Sequence, residues 1–248
     1  MIKNTFYNKK IALITGANTG IGKGISKYFI KKNIFVIGTS TSDIGVKKIK
    51  KNLKNNGYGI KLNLLDYKSI NKIIEKIYTK FGTIDILVNN AAIKHDNLLI
   101  YMTEKEWNDV INVNLTSLFY ICKNIVKFMI KKKSGRIINV SSVVADIGNI
   151  GQTNYSVSKN GLISFSKSLS LEVARFGITV NTVSPGFINT GMTKNLNLLQ
   201  KKNFLSTIPM KRFGTVEEIS SVIFFLSSSQ SSYITGQTIY VNGGIYSN

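Results

Sequence analysis

Short, nearly unbroken apolar runs alternate along this chain with longer segments whose apolar residues recur every three to four positions. Runs such as Ile11-Ala12-Leu13-Ile14 and Ile84-Asp85-Ile86-Leu87-Val88 lack the in–out alternation of a half-solvated strand. They suit parallel strands covered by helices on both faces. The pattern predicts strands over residues 10–15, 34–39, 59–62, 84–88, 135–141, 178–183 and 238–241. It predicts helices over 21–32, up to about 56, 66–81, 103–131, 154–176 and 216–227. Thr103 and Glu106 have the S/T-x-x-E spacing of a capping box at the start of the fourth helix. Pro185-Gly186 should break the chain beyond the sixth strand, and residues 187–212 read as an irregular insert. Strand and helix alternate through all 248 residues without a Gly/Ser/Pro-rich linker. The expectation is one α/β domain over 1–248, a doubly wound parallel sheet of about seven strands with right-handed crossovers.

Candidate chemistry sits where such a sheet binds ligands, beyond the C-terminal strand ends. Gly16-Ala17-Asn18-Thr19-Gly20-Ile21-Gly22 joins the first strand to the first helix. Glycines there allow a tight turn and close backbone approach to a pyrophosphate, which the free N–H groups and dipole of a helix N-terminus attract. The spacing G-x-x-x-G-x-G is one residue wider than the usual dinucleotide fingerprint, yet the strand–turn–helix context makes the expected fold Rossmann-type. The second strand ends in Thr39-Ser40-Thr41-Ser42, without the acid that would bind the ribose 2′-hydroxyl of NAD. Hydroxyls can donate to a 2′-phosphate, so NADP is the expected cofactor. Tyr155 and Lys159, four residues apart, share a helix face. An ammonium beside a phenol should lower the phenol pKa and make it a proton donor and acceptor near neutrality. Ser142 closes an apolar run just upstream.

A formal charge of +21 raises the possibility of nucleic-acid binding. The lysines are scattered over several helices (Lys47, Lys48, Lys50, Lys51, Lys54; Lys72, Lys76, Lys80) with few interleaved aromatics, so no stacking platform is expected. An acidic protein or a phosphorylated ligand suits that field better. The single cysteine, Cys122, excludes an intrachain disulfide, and the single histidine, His95, builds no metal site. No signal-peptide core and no apolar stretch near 18 residues is evident, so a soluble, cytoplasmic protein is expected.

In order and approximate spacing, the glycine loop, Asn89-Asn90-Ala91-Ala92, Asn114, Ser142, Tyr155, Lys159 and Pro185-Gly186 resemble the short-chain dehydrogenase/reductase family over nearly the whole chain. Asp96-Asn97-Leu98-Leu99, Glu106-Trp107-Asn108, Gly148-Asn149-Ile150-Gly151-Gln152-Thr153-Asn154-Tyr155 and Val241-Asn242-Gly243-Gly244 are similar to its bacterial branch that reduces 3-oxoacyl groups on acyl carrier protein. The resemblance implies NADPH-dependent reduction of a C3 ketone. Tyr155 would be the acid, Ser142 its partner at the same oxygen, Lys159 the tuner and ribose ligand, and Asn114 the holder of a relay water. It implies cofactor contacts at Gly16, Ala17, Asn18, Thr19, Gly20, Ile21, Gly22, Ser40, Thr41, Asn63, Leu64, Asn90, Tyr155, Lys159, Ile188 and Thr190. It also implies a substrate lid over about 187–212 and a homotetramer built on the 103–131 and 154–176 helices. Lys132, Lys133 and Arg175 would form a docking surface for the acidic carrier. Thr19 stands where the branch usually has arginine, and Ala92 where it usually has glycine. Sugar and steroid dehydrogenases share much of this scaffold, so another carbonyl substrate stays open, as does a catalytically silent dinucleotide sensor.

Overall fold

A computed structural model describes residues 9–191 and 198–247. Its seven strands are β1 Ile11–Ile14, β2 Phe35–Ser40, β3 Gly57–Lys61, β4 Ile86–Asn89, β5 Gly135–Val140, β6 Ile178–Pro185 and β7 Thr238–Val241. They form one parallel sheet in the order β3-β2-β1-β4-β5-β6-β7. Chain order reverses direction across the sheet between β1 and β4, so a crevice opens there beyond the strand ends.

Alternate residues of each strand feed two cores, one per face. Ile11, Leu13, Ile37, Leu87, Ile137 and Val180 face α3 (Tyr67–Phe81), α5 (Ser117–Lys132) and α7 (Thr153–Val173). Ala12, Ile14, Val36, Val88, Ile138 and Val183 face α1 (Gly20–Lys31), α2 (Asp43–Leu53) and a helix at Val216–Leu226. Burial on both faces is why these strands read as unbroken apolar runs.

The capping box forms as expected. Glu106 N donates to Thr103 Oγ1 at 3.2 Å and Thr103 N to Glu106 Oε2 at 2.8 Å, opening α4 (Glu104–Ile111). The helix then runs on into α5 through a π-turn at Asn112–Thr116, which the apolar period does not reveal. Glu104–Lys132 is therefore one run of 29 residues, long and apolar enough by length and composition to span a membrane. That corrects the expectation that no such stretch exists. Its apolar stripe (Leu118, Ile121, Cys122, Ile125, Met129) lies in the sheet core instead.

Two further expectations change. The sixth strand runs two residues further than expected and ends at Pro185, whose carbonyl accepts from Val143 N at 2.9 Å. The 187–212 segment is not wholly irregular, because it contains α8 (Leu198–Thr207), whose apolar residues follow no clear helical stripe. Residues 192–197 of that segment, like 1–8 of the expected domain, lie outside the described residues. A short α6 (Val144–Ile147) also follows β5 unannounced, and Val216–Leu226 is α9.

Helix α1 crosses α9 at Gly24, where an added Cβ would overlap Val216 Cγ1. Gly24→Ala should cost about 1–3 kcal/mol of stability despite alanine's better helix propensity, and adding Val216→Ala should recover most of it. Denaturant unfolding of both variants checks this.

Candidate active site

At the crevice, Thr15 ties β1 to β4. Its Oγ1 accepts from Asn90 N at 2.9 Å and Ala91 N at 3.0 Å, and Asn90 Nδ2 donates to Thr15 O and Gly16 O at 2.9 and 3.3 Å. Asn90, expected at a ribose, thus has its amide donors on the glycine loop and acts as a brace. Gly16 and Gly20 have φ of +66° and +51°, which favours glycine. A Cβ on Gly22 would overlap Gly16 O, while a Cβ on Gly20 would meet nothing within 4 Å. Space is thus left open beside a helix start that has no side-chain cap at Thr19 and no acid in its first turn. These features fit a pyrophosphate. Asn18, Thr19 and Ile21 border that space, whereas the Ala17 methyl is buried in the core and leaves only its backbone.

The adenosine side differs from expectation. Ser40 is buried, its Oγ accepting from Ser42 N at 3.4 Å and packed against Gly45, so it does not face a 2′-phosphate. Thr41, the first residue beyond β2, is exposed. Lys61, in register with Ser40, pairs with Asp43 at 2.7 Å on the same edge. Asn63 is exposed and folds into a turn, accepting from Leu65 N at 3.1 Å; Leu64 is buried in the core. Ala92 is exposed and has no positive φ, so its methyl is accommodated without strain.

Tyr155 lies in the first turn of α7, with Ser142 beside it after β5. Burial pushes the Tyr155 phenol above its ordinary pKa, opposed by a hydrogen bond with Ser142 and reinforced by the Asp96 carboxylate. The expected lowering by Lys159 therefore does not win. Lys159 Nζ donates to Val140 O at 2.8 Å and stands 5.7 Å from the Tyr155 ring centroid. Lys159 is 2% exposed, and burial brings its own pKa down to about 8. An ammonium has three donors, and one has a described acceptor, so the group can serve further hydroxyls. Asn114, within the π-turn, accepts from Ile93 N at 2.9 Å and donates to Ile93 O and Ser158 Oγ at 2.9 and 3.1 Å. It pins the loop after β4 to α7.

Sequence reasoning missed Asn154, which is fully buried. Its Nδ2 donates to His95 O and Glu106 O at 3.0 and 3.3 Å, and its Oδ1 accepts from Tyr155 N at 2.7 Å. Its place next to Tyr155 was visible; its long-range partners were not. Ile188 is buried and bridged to Gly214, with Thr190 nearby in sequence on the half-buried lid side. A cleft of about 480 Å³ on that side is lined by Ile188, Met210, Arg212 and Tyr240, and not by Tyr155. The docking candidates lie apart from these groups within the protomer. Lys132 and Lys133 precede β5 and Arg175 follows α7, at the opposite end of the sheet from Ser142 and Tyr155. Lys132 is also paired with Asp85 there.

A family model described as enoyl-(acyl carrier protein) reductase, one of the short-chain dehydrogenase/reductase models, matches residues 16–246. The chain belongs to the short-chain dehydrogenase/reductase family. It is 59% identical over 238 residues to the 3-oxoacyl-[acyl-carrier-protein] reductase FabG of Buchnera aphidicola subsp. Schizaphis graminum, covering 96% of this chain and 98% of that one. The FabG proteins of Salmonella typhimurium and Escherichia coli K12 are 50% and 49% identical over 240 residues, covering 97% of this chain and 98% of theirs. As a short-chain dehydrogenase/reductase it is an oxidoreductase that uses a nicotinamide dinucleotide. The open glycine loop and the free donors of Lys159 agree with that cofactor.

Burying the Lys159 ammonium without a carboxylate destabilises the cofactor-free reductase. The folded pKa is depressed, so the penalty is full below about 8 and fades as pH rises toward the ordinary lysine value of 10.5. Lys159→Met should therefore be more stable than the parent at pH 7 by on the order of 2 kcal/mol, after about 1 for the donor lost at Val140 O. Thermal unfolding between pH 7 and 10 should show the gap shrinking. A gap independent of pH would assign it to packing.

Proposed function

We propose that this reductase converts 3-oxoacyl-[acyl-carrier-protein] to 3-hydroxyacyl-[acyl-carrier-protein] in fatty acid biosynthesis, with NADPH as reductant. The observation that carries the reading is the Ser142–Tyr155 hydrogen-bonded pair with the Lys159 ammonium 5.7 Å from the Tyr155 ring centroid. Near-full-length similarity to FabG proteins supports the substrate class. When bound, the cofactor supplies a hydride to C3 of the substrate. Tyr155, kept protonated by burial, gives its proton to the oxygen that gains charge, and Ser142 donates a hydrogen bond to the same oxygen. Lys159 orients the nicotinamide ribose and stabilises the phenolate once the proton has left. Asn114 holds the loop and α7 together and, in this reading, a relay water; a void of about 10 Å³ beside it is the size of roughly one water. Gly16 to Gly22 hold the phosphates, Asn63 and the Leu64 backbone flank the adenine, and Ile188 and Thr190 reach the carboxamide.

NADP preference rests on Thr41 and Lys61 rather than on Ser40, since those two are exposed at the edge where a 2′-phosphate would lie. The 187–212 segment is the lid of this single domain. The working form is a cytoplasmic homotetramer joined through the 104–132 and 153–173 helices, whose outer faces expose Phe119 and Leu171.

Tyr155→Phe should lower ketone reduction on the order of 10²–10⁴-fold while retaining cofactor binding. Acetoacetyl and crotonyl thioesters, compared by NADPH oxidation, separate ketone from enoyl reduction; turnover of crotonyl alone would overturn the substrate assignment. Thr41→Asp should shift the kcat/KM ratio of NADPH to NADH toward NADH by at least about tenfold, the worth of one charge-assisted hydrogen bond replaced by repulsion. Ser40→Asp should instead cost stability, because that site is closed by Gly45.

A further inference from the structure

Two loops at the mouth of the crevice present an apolar surface that the protomer does not cover. Leu98, Leu99 and Ile100 follow β4, and Ile147 and Ile150 follow β5. All five are exposed, Ile100 at 79% and Ile150 at 86%. Single exposed apolar residues are ordinary, whereas a contiguous group marks a binding surface. These loops are one surface because they are bonded to each other. Asn97 N donates to Gly151 O at 2.8 Å, and Gln152 Nε2 donates to Asp96 Oδ1 at 2.7 Å. They also adjoin the reacting groups, since Gln152 caps α7 two residues before the turn that carries Asn154 and Tyr155.

We propose that this wall binds the acyl chain of the substrate, so that the enzyme favours long 3-oxoacyl chains over short ones. The inference rests on the 3-oxoacyl reading of the same site. Local charges argue for an uncharged occupant over an acidic carrier surface. Lys94 is paired with Asp96 at 2.5 Å, Lys105 with Asp109 at 2.5 Å, and Glu106 is spent on its capping box. The wall therefore offers hydrocarbon contact and no free cation of its own among these residues. Proximity to Tyr155 favours a chain over a second protein copy: Gln152, which joins the two loops, is the N-cap residue of α7 three residues before Tyr155, so one arm of a ketone held at Ser142 and Tyr155 can lie along this wall.

The test compares the parent with Ile100→Ser/Ile150→Ser on 3-oxobutanoyl and 3-oxododecanoyl thioesters, each on acyl carrier protein and on N-acetylcysteamine. The parent should prefer the long chain in both settings. The variant should lose roughly tenfold in the long-to-short kcat/KM ratio, the worth of about two methylene contacts, with the short substrate unchanged. An unaltered ratio would overturn the proposal. An equal loss for both chain lengths confined to carrier-bound substrates would overturn it in favour of a carrier surface. A changed subunit number by sedimentation with an unaltered ratio would overturn it in favour of a copy interface. Absence of turnover of both 3-oxobutanoyl and 3-oxododecanoyl substrates in the parent would instead remove the reductase reading beneath it.

Discussion

The width of the crevice between β1 and β4 is the constraint on which the site depends. At this switch in strand order the chain leaves the two neighbouring strands in opposite directions, and only side chains can tie the two exits together. Thr15 and Asn90 do so through four hydrogen bonds that satisfy backbone N–H groups on one side and carbonyls on the other. The glycine loop and the loop after β4 are thereby held at one separation. Buried backbone groups at this place would otherwise be left unpaired, at about 1–3 kcal/mol each.

From that brace the order of the catalytic side follows. The loop after β4 is fastened a second time by Asn114 and a third time by Asn154, which come from α4–α5 and from α7. The first turn of α7, which carries Tyr155, is thus positioned by the loop that the brace has already fixed. Lys159 is placed one turn further on, over the last carbonyl of β5. A buried ammonium with a single protein acceptor among the described residues is a poor choice for stability and a good one for binding hydroxyl groups, and this helix accepts the compromise.

Electrostatics at the site run against the simple expectation for a tyrosine and lysine at i and i+4. Desolvation acts on both groups, raising the phenol and lowering the ammonium, while the Lys159 ammonium donates to Val140 O. For a reductase the outcome is coherent: a phenol that holds its proton is ready to donate it, and phenolate is needed only after transfer.

Order along the chain, by itself, determined much of this protein. Unbroken apolar runs, glycine spacing and the Tyr155–Lys159 interval are local properties, and each produced its strand, turn or shared helix face. Burial on two faces is also written into composition. What the tertiary structure decided were quantities that depend on residues distant in sequence. Ser40 is enclosed between Gly45 and the neighbouring strand, in register with Lys61, and Thr41 beyond the strand end is exposed. Asn90 is a brace and Asn154 an anchor because their partners lie 75 and 59 residues away. Lys133 and Arg175 fall at the opposite end of the protomer from the site because β5 and α7 each carry the chain across the sheet between them and it. The π-turn carries Asn114, whose side chain reaches across to Ile93, a contact no helical period records. Local pattern specifies which elements form; the pairing of distant polar groups specifies where each functional atom points.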